Sequence, residues 1–430
     1  MATELQNTAE RALTLMRAQG FEHAQVSVIR QLRAEVNVAH NEPSLLRSNE
    51  AFKLQLMGLL DGRRAATEGS ELDEVSLTAS VQALWRSVAA APQDAANAVS
   101  TGQHAHIVRG ALEADVAVLA GAMGELLAWR ESETPTMMIE EALAAHNHVQ
   151  SHTLTSGGSD LACELGWFDA AVFGLAREGA QSSSFNFAGG ACDELAGSAG
   201  MPFIERFGIH RLMRSLTRQV RTQALGERFV GSVVLTPRAA ADLFGWLLGQ
   251  LSDQALIDAS SVYRHAVGEA AASPLLTLRS RFDAPGVAGL SADAFVTAPV
   301  ELLSAGRLNC LTPSLYGSRK TGLAHVPVAA QGWEVLAGNT LLDQIIASVA
   351  RGALVDRLSM GRPAANGDFS GVIKNSFAIR SGEVGAALAE TMISGNVAQM
   401  LRDVSAVSAE RIDSGAWVLP WLRVDGLHFS

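Results

Sequence analysis

Lysine is nearly absent from this chain of 430 residues, occurring only as Lys53, Lys320 and Lys374. Its positive charge is therefore carried by arginine, and 33 basic against 44 acidic side chains leave a formal net charge of −11. A protein whose main task is to grip phosphate backbones needs the opposite balance, so nucleic acid is not an expected partner. Cysteine is also scarce: Cys163, Cys192 and Cys310 are odd in number and far apart, which excludes a disulfide framework and fits reduced thiols. No long apolar run occurs, because the richest stretch, Ala111 to Trp129, contains Glu113, Asp115 and Glu125, and a membrane-spanning helix is not expected. Met1 to Glu10 lacks a basic segment followed by an apolar one, so no secretory leader is expected and the location implied is cytoplasmic.

Several signatures of chemistry are missing as well. The nucleophile-elbow pattern G-x-S-x-G, the zinc helix H-E-x-x-H and any C-x-x-C pair are absent. Lys320-Thr321-Gly322 stands without the S-x-x-K element that would accompany it in a penicillin-recognising enzyme, and Arg319 occupies the place of the glycine that a P-loop requires.

What is present reads as helices and strands in irregular succession. Apolar residues at helical spacing predict a first helix ending at Gly20, a second with Leu77, Val81, Leu84 and Val88 on one face, and a third over about Arg109 to Trp129. Residues Gln25 to Leu60 read as strands, with Asp61-Gly62 as a hairpin turn, and 136–194 as short strands punctuated by Ser156-Gly157-Gly158-Ser159. A long helix is expected over about Ile204 to Thr222. Further on, Ser232 to Leu235 reads as a strand, Thr236-Pro237 caps a helix that buries Leu243, Phe244, Leu247, Leu248 and Leu251, and helices are expected near Val262 to Ala271, Thr340 to Ala353 and Ile393 to Val407. Strands arrive in runs between helices without βα alternation, which predicts an α+β fold.

Three side-chain groupings are candidates for chemistry. His146, His148 and His152 share one strand face, and a symmetric hairpin at 156–159 would set His152 opposite Cys163, a donor set zinc accepts; ordinary histidines of a strand face are the plainer alternative. His265 and Glu269 would lie one helical turn apart. Arg211, Arg214, Arg218 and Arg221 form a stripe opposite the apolar side of their helix, suited to an acidic partner or to solvation with local salt bridges.

Three stretches of the second half resemble the TldD/PmbA (TldD/TldE) family of cytosolic metallopeptidases. They are Gly231 to Gly245 running into Val267-Gly268-Glu269 and Ala272 to Leu275; Tyr316-Gly317-Ser318-Arg319-Lys320-Thr321-Gly322; and Gly367 to Ser370, Ser381 to Val384 and Glu390 to Asn396. The resemblance implies a two-domain subunit, 1–225 and 226–430, with largely antiparallel sheets flanked by helices, that dimerises and handles peptides in a cleft. It further implies that a TldD-like subunit holds zinc on an H-E-x-x-x-H helix and a downstream cysteine. Here the corresponding positions are Pro237, Arg238 and Asp242, and no cysteine follows Cys310. The chain is thereby similar to the TldE/PmbA-like subunit type, with no catalytic residue or cofactor of its own and zinc expected on a TldD-like partner. Asp368, Phe369, Gly395 and Asn396 are the candidate peptide-cleft residues, turn and cap roles being the alternative. Two features depart from the family: its F-D-x-E-G-x-x-T segment is missing or shortened near Gly289 to Val300, and Ser408-Ala409-Glu410 stands where G-N-D is usual. The rival readings are a homodimeric peptidase with a metal at His146, His148, His152 and Cys163, and a partner- or nucleic-acid-binding protein using the arginine stripe.

Overall fold

The strands of the first half are long, and four of them reach 17 to 19 residues. The computed structural model describes residues 2–195 and 201–430. Helix α1 (Ala2–Gln19) leads into β1 (His23–Ala39), β2 (Glu42–Leu60) and β3 (Arg63–Gly69); α2 (Glu74–Ala90), β4 (His104–Gly110) and α3 (Val116–Glu133) follow, and then β5 (Met137–Thr155), β6 (Asp160–Glu178), β7 (Gln181–Ser182) and β8 (Asn186–Cys192). These strands form one eight-stranded sheet in the order β3-β2-β1-β5-β6-β4, with β7 and β8 also on β6. Both tight hairpins use left-handed residue pairs, His40 and Asn41 at φ 52° and 67° and Asp61 and Gly62 at 48° and 69°, the turn geometry that matches strand twist. The expectation of short strands over 136–194 is corrected: β5 and β6 are 19 residues each.

Helices cover one face of this sheet. Ala9, Ala12 and Met16 of α1 and Leu77, Val81, Leu84 and Val88 of α2 are buried against Val26, Val28, Leu54 and Leu56, while Leu119, Met123 and Leu126 of α3 pack on Ile139, Ala144, Phe168 and Val172. The third helix starts later than its periodicity predicts. Residues 104–110 pair parallel with β6, Gly110 ends that strand at φ 79°, and Asp115 caps α3 by accepting from Ala117 N at 2.9 Å.

A short turn of 3-10 helix (Phe203–Gly208) precedes α4 (Ile209–Arg218). The single long helix expected from Ile204 is thus broken, since Phe207 and Gly208 take φ 55° and 73°. The left-handed φ favours glycine at 208, and a side chain there would also have to displace the end of Ile412, 2.8 Å away.

The second half contains β9 (Thr222–Gln223), β10 (Phe229–Leu235), α5 (Pro237–Leu251), α6 (Asp253–Ile257), β11 (Leu278–Ser280), β12 (Glu301–Ser304), β13 (Arg307–Leu308), α7 (Leu315–Thr321), β14 (Trp333–Val335) and α8 (Leu342–Ala347). It continues with β15 (Arg351–Val355), β16 (Arg357–Ser359), β17 (Asp368–Lys374), β18 (Phe377–Arg380), β19 (Glu383–Leu388), β20 (Thr391–Asn396), α9 (Val397–Arg402), β21 (Val404–Asp413) and β22 (Trp417–Phe429). Fourteen strands make one mixed sheet whose spine runs β13-β12-β11-β14-β22-β10-β15-β18-β19-β9. Helix α5 lies on it, burying Leu243, Phe244, Leu247 and Leu251 against Val233, Leu235, Leu419 and Leu422.

Three expected helices are corrected by pairing or by glycine. Residues 262–271 are turns, with Gly268 left-handed at φ 87°, so His265 and Glu269 do not share a helix face. Helix α8 stops at Ala347 because 351–355 is drawn into the sheet beside β10, and α9 keeps only six residues because β20 and β21 claim its ends. The fold is α+β. Among the described residues no helix is long and apolar enough to cross a membrane.

The Tyr316 to Gly322 stretch locks the halves together. Within α7, Tyr316 Oη donates to Asp94 Oδ2 at 2.8 Å, Lys320 Nζ lies 2.8 Å from the same oxygen, and Arg319 donates to Ala95 O at 2.9 Å. The Lys320 ammonium, the Ala96 N–H and the Tyr316 hydroxyl together hold the Asp94 carboxyl down to about 2. Asp94→Asn is expected to lower Tm by about 1–3 °C at neutral pH. Because the folded pKa is depressed, the wild-type advantage is present above about 3.8 and is lost as pH falls toward about 2; thermal melts of both proteins across that range measure it.

Candidate functional site

A cavity of about 1140 Å³ opens between the halves and joins two features that are far apart in their sequence signals. One wall is α4 with β8. The other is the N-terminal end of α5 with β15, β16, residues 361–363 and the aromatic side of β22.

Helix α4 is oriented by its apolar stripe. Ile209, Leu212, Met213 and Leu216 are buried in the first core, which turns Arg211, Arg214 and Arg218 toward the cleft. Arg221 lies beyond the helix, 3.7 Å from Glu178, so the stripe holds three arginines and not four. Each guanidinium lies over a ring: Arg211 over Trp421 at 5.2 Å, Arg214 over Trp129 at 5.4 Å and Arg218 over Phe377 at 4.6 Å. Arg214 also reaches Glu133 at 3.1 Å.

Helix α5 begins where the sequence predicts, Thr236 Oγ1 accepting from Ala239 N and Pro237 occupying the first turn. Pro237, Arg238 and Asp242 all line the cleft. Arg238 crosses it, donating to Asn186 Oδ1 and to Phe187 O (2.8 Å) and lying 3.7 Å over the Phe187 ring. Asp356 fastens the same corner, its two oxygens accepting from Asn186 Nδ2 at 2.6 Å and from Thr236 Oγ1 at 2.9 Å. With Arg357 and Arg362, six arginines face the cavity against Asp242 and Asp356. Asp242 is reached by the cleft water but walled in by protein, and this desolvation pushes its carboxyl up to about 6 despite Arg238 and Arg357 nearby.

The other candidates lie elsewhere. His146, His148 and His152 do share a sheet face, but each has its own partner: Ala111 O at 2.6 Å, Glu164 Oε1 at 2.8 Å and Asp160 Oδ1 at 2.9 Å. The expected pairing of His152 with Cys163 is corrected by register. Cys163 stands opposite Ser151 and His152 opposite Ala162, so the thiol points through the other face of the sheet. Burial pushes that thiol up to about 11, and it also pulls His146 down. Among the described residues no group of three or more His, Cys, Asp or Glu side chains could hold a metal ion. Asp368, Phe369, Gly395 and Asn396 are brought together, paired Asp368 with Asn396 and Phe369 with Gly395. They nevertheless lie outside the cavity lining. Asn396 Nδ2 donates to Asp368 Oδ1 at 2.8 Å while its Oδ1 caps α9, and Phe369 is buried in the core. The contributions of Arg357, Arg362, Trp417 and Trp421 carry no local sequence signal, because only the sheet order brings them to α4.

Residues 230–430 match the family model of the PmbA/TldA metallopeptidase C-terminal domain. The second part of the chain is thus similar to the C-terminal domain of the PmbA/TldA metallopeptidases. The TldD/PmbA motifs from Gly231 to Asn396 fall within that match. Over its whole length the chain has the fold of TldE from Thermococcus kodakarensis, with a TM-score of 0.81, 19% identity and 100% of each chain covered. It shares that fold with two proteins described as candidate modulators of DNA gyrase. The one from Bacteroides thetaiotaomicron gives a TM-score of 0.83 at 18% identity, covering 99% of each chain. The one from Thermotoga maritima gives 0.78 at 14% identity, covering 99% of this chain and all of the other. No curated protein is matched by the sequence.

The donor set at 237, 238 and 242, where the sequence resemblance would place a zinc helix, does not suit zinc. Pro237 offers no ligand atom, Arg238 places a permanent cation there, and Asp242 is a lone carboxylate. Asp242 instead burdens the folded state when ionised. Its folded pKa is raised, so the cost is absent below about 3.8 and complete above about 6. Asp242→Asn is therefore expected to raise Tm by about 1–3 °C in mildly alkaline buffer and by progressively less as pH falls, measured by thermal melts against pH.

Proposed function

We propose that this chain is the TldE/PmbA-like subunit of a cytoplasmic zinc metallopeptidase of the TldD/TldE type, holding unfolded peptide while a TldD-like partner carries the zinc and the hydrolysis. The observation that carries this reading is the content of positions 237, 238 and 242. They face the large cleft at the start of α5, yet they are proline, arginine and a carboxyl with a raised pKa. The frame around them is kept, with its cap, its buried helix and its lock between the halves. A chain that keeps this frame and replaces the donors is suited to presenting a substrate rather than to activating water. An extended peptide would be held by main-chain pairing with side-chain pockets, which tolerates many sequences. Three free thiols, Cys163, Cys192 and Cys310, accord with a reducing compartment.

Recovery of tagged protein from its native cell tests the pairing. The expected result is copurification of a TldD-like chain bearing H-E-x-x-x-H, with peptide cleavage and zinc only in the two-chain fraction. A homodimer that cleaves peptides unaided, with stoichiometric zinc lost on His148→Ala, would contradict it.

A further inference from the structure

We propose that the cleft between α4 and α5 binds acidic peptide segments, its arginines pairing with the carboxylates of Glu and Asp side chains. This deepens the peptide-holding role above, and rests on it, by naming the substrate class. The first support is the contrast in charge: six arginines and two aspartates face a single cavity of a chain whose net charge is −11.

The second support is the state of those arginines. Elsewhere the chain pairs them closely, as Arg33 with Glu35 and Asp169, Arg279 and Arg411 with Glu334, and Arg281 with Asp413. In the cleft, among the described residues, Arg211, Arg218, Arg357 and Arg362 have no carboxylate in an ion pair. Cations gathered without counter-charges repel one another, and a ligand carboxylate relieves that cost. The third support is orientation. Arg211 and Arg218 lie over the Trp421 and Phe377 rings, which restrains the guanidinium planes and leaves their N–H edges for bidentate contact with carboxylates. Trp246, Leu358 and Trp417 add apolar lining for the rest of a peptide, and about 1140 Å³ exceeds the volume that a drug-sized ligand needs.

Nucleic acid fits the same surface less well. Its bases stack on aromatic faces, and three of the cavity's rings, Trp421, Phe377 and Phe187, already have a guanidinium over them.

The test uses the purified full-length chain and fluorescence anisotropy with labelled oligo-glutamate, oligo-glutamine and oligo-lysine peptides and a single-stranded DNA of similar length. The glutamate peptide is expected to bind about tenfold or more tightly than the others, with affinity falling as salt rises. Arg218→Gln and Arg357→Gln should each weaken it about tenfold while Tm is unchanged, the loss of one charge-assisted pair. Equal binding of glutamate and glutamine peptides, tighter binding of DNA, or unchanged affinity in both variants would overturn the proposal. Because the assay needs no partner chain, its outcome is separate from that of the copurification. Acidic-peptide binding without a TldD-like partner would sustain this inference and remove the pairing, and the reverse pattern would do the opposite.

Discussion

The rotation of α4 about its own axis is the constraint on which the cleft depends. Four buried residues, Ile209, Leu212, Met213 and Leu216, are committed to the core of the first half, which leaves Arg211 and Arg218 against rings of the second half and Arg214 at the cavity beside Trp129. The break at Phe207 and Gly208 lets the helix take that pose, since a continuous helix from Ile204 would hold a different axis. The opposing wall is fixed in the same manner. Helix α5 buries Leu243, Phe244 and Leu247 in the second core and leaves Arg238 and Asp242 at the cavity. Arg238 and Asp356 then tie the two walls together through Asn186 and Phe187.

Electrostatics and packing act jointly on this arrangement. Unpaired arginines would be disfavoured in a dry interior, but here the cleft stays open to water and aromatic faces accept the cations. Ser408 supports one of these faces, accepting from Trp421 N at 2.8 Å and donating to Glu410 O at 2.6 Å. Ser408 thus helps to hold the ring that lies under Arg211. The Asp94 lock belongs to a separate contact between the halves, through which α7 holds them in one relation.

Local chemistry was legible wherever a side chain or turn acts on its immediate neighbours. The Asp61-Gly62 turn, the Thr236-Pro237 helix start and the apolar faces of α2 and α5 all follow from spacing alone. Tertiary pairing decided the rest. Residues 351–353 close the expected helix but belong to a strand because β10 lies beside them, and a one-residue difference in the 155–160 turn sends Cys163 to the face away from His152. For the site, Pro237, Arg238, Asp242 and three of the four striped arginines were visible as separate signals. That they face each other was not, because it depends on the docking of two cores. Asp368 and Asn396 show the converse: the sequence singled out both, and they bond to each other as turn and cap.

The central claim is that both halves build one ligand-binding cleft, and hydrogen exchange tests it most directly. Mass-spectrometric exchange of the full chain with and without saturating oligo-glutamate would follow the amides of 209–218, 237–242 and 357–363 together. The account predicts added protection in all three segments at once. Protection confined to one half, or absent from all three while the peptide is bound, would contradict it.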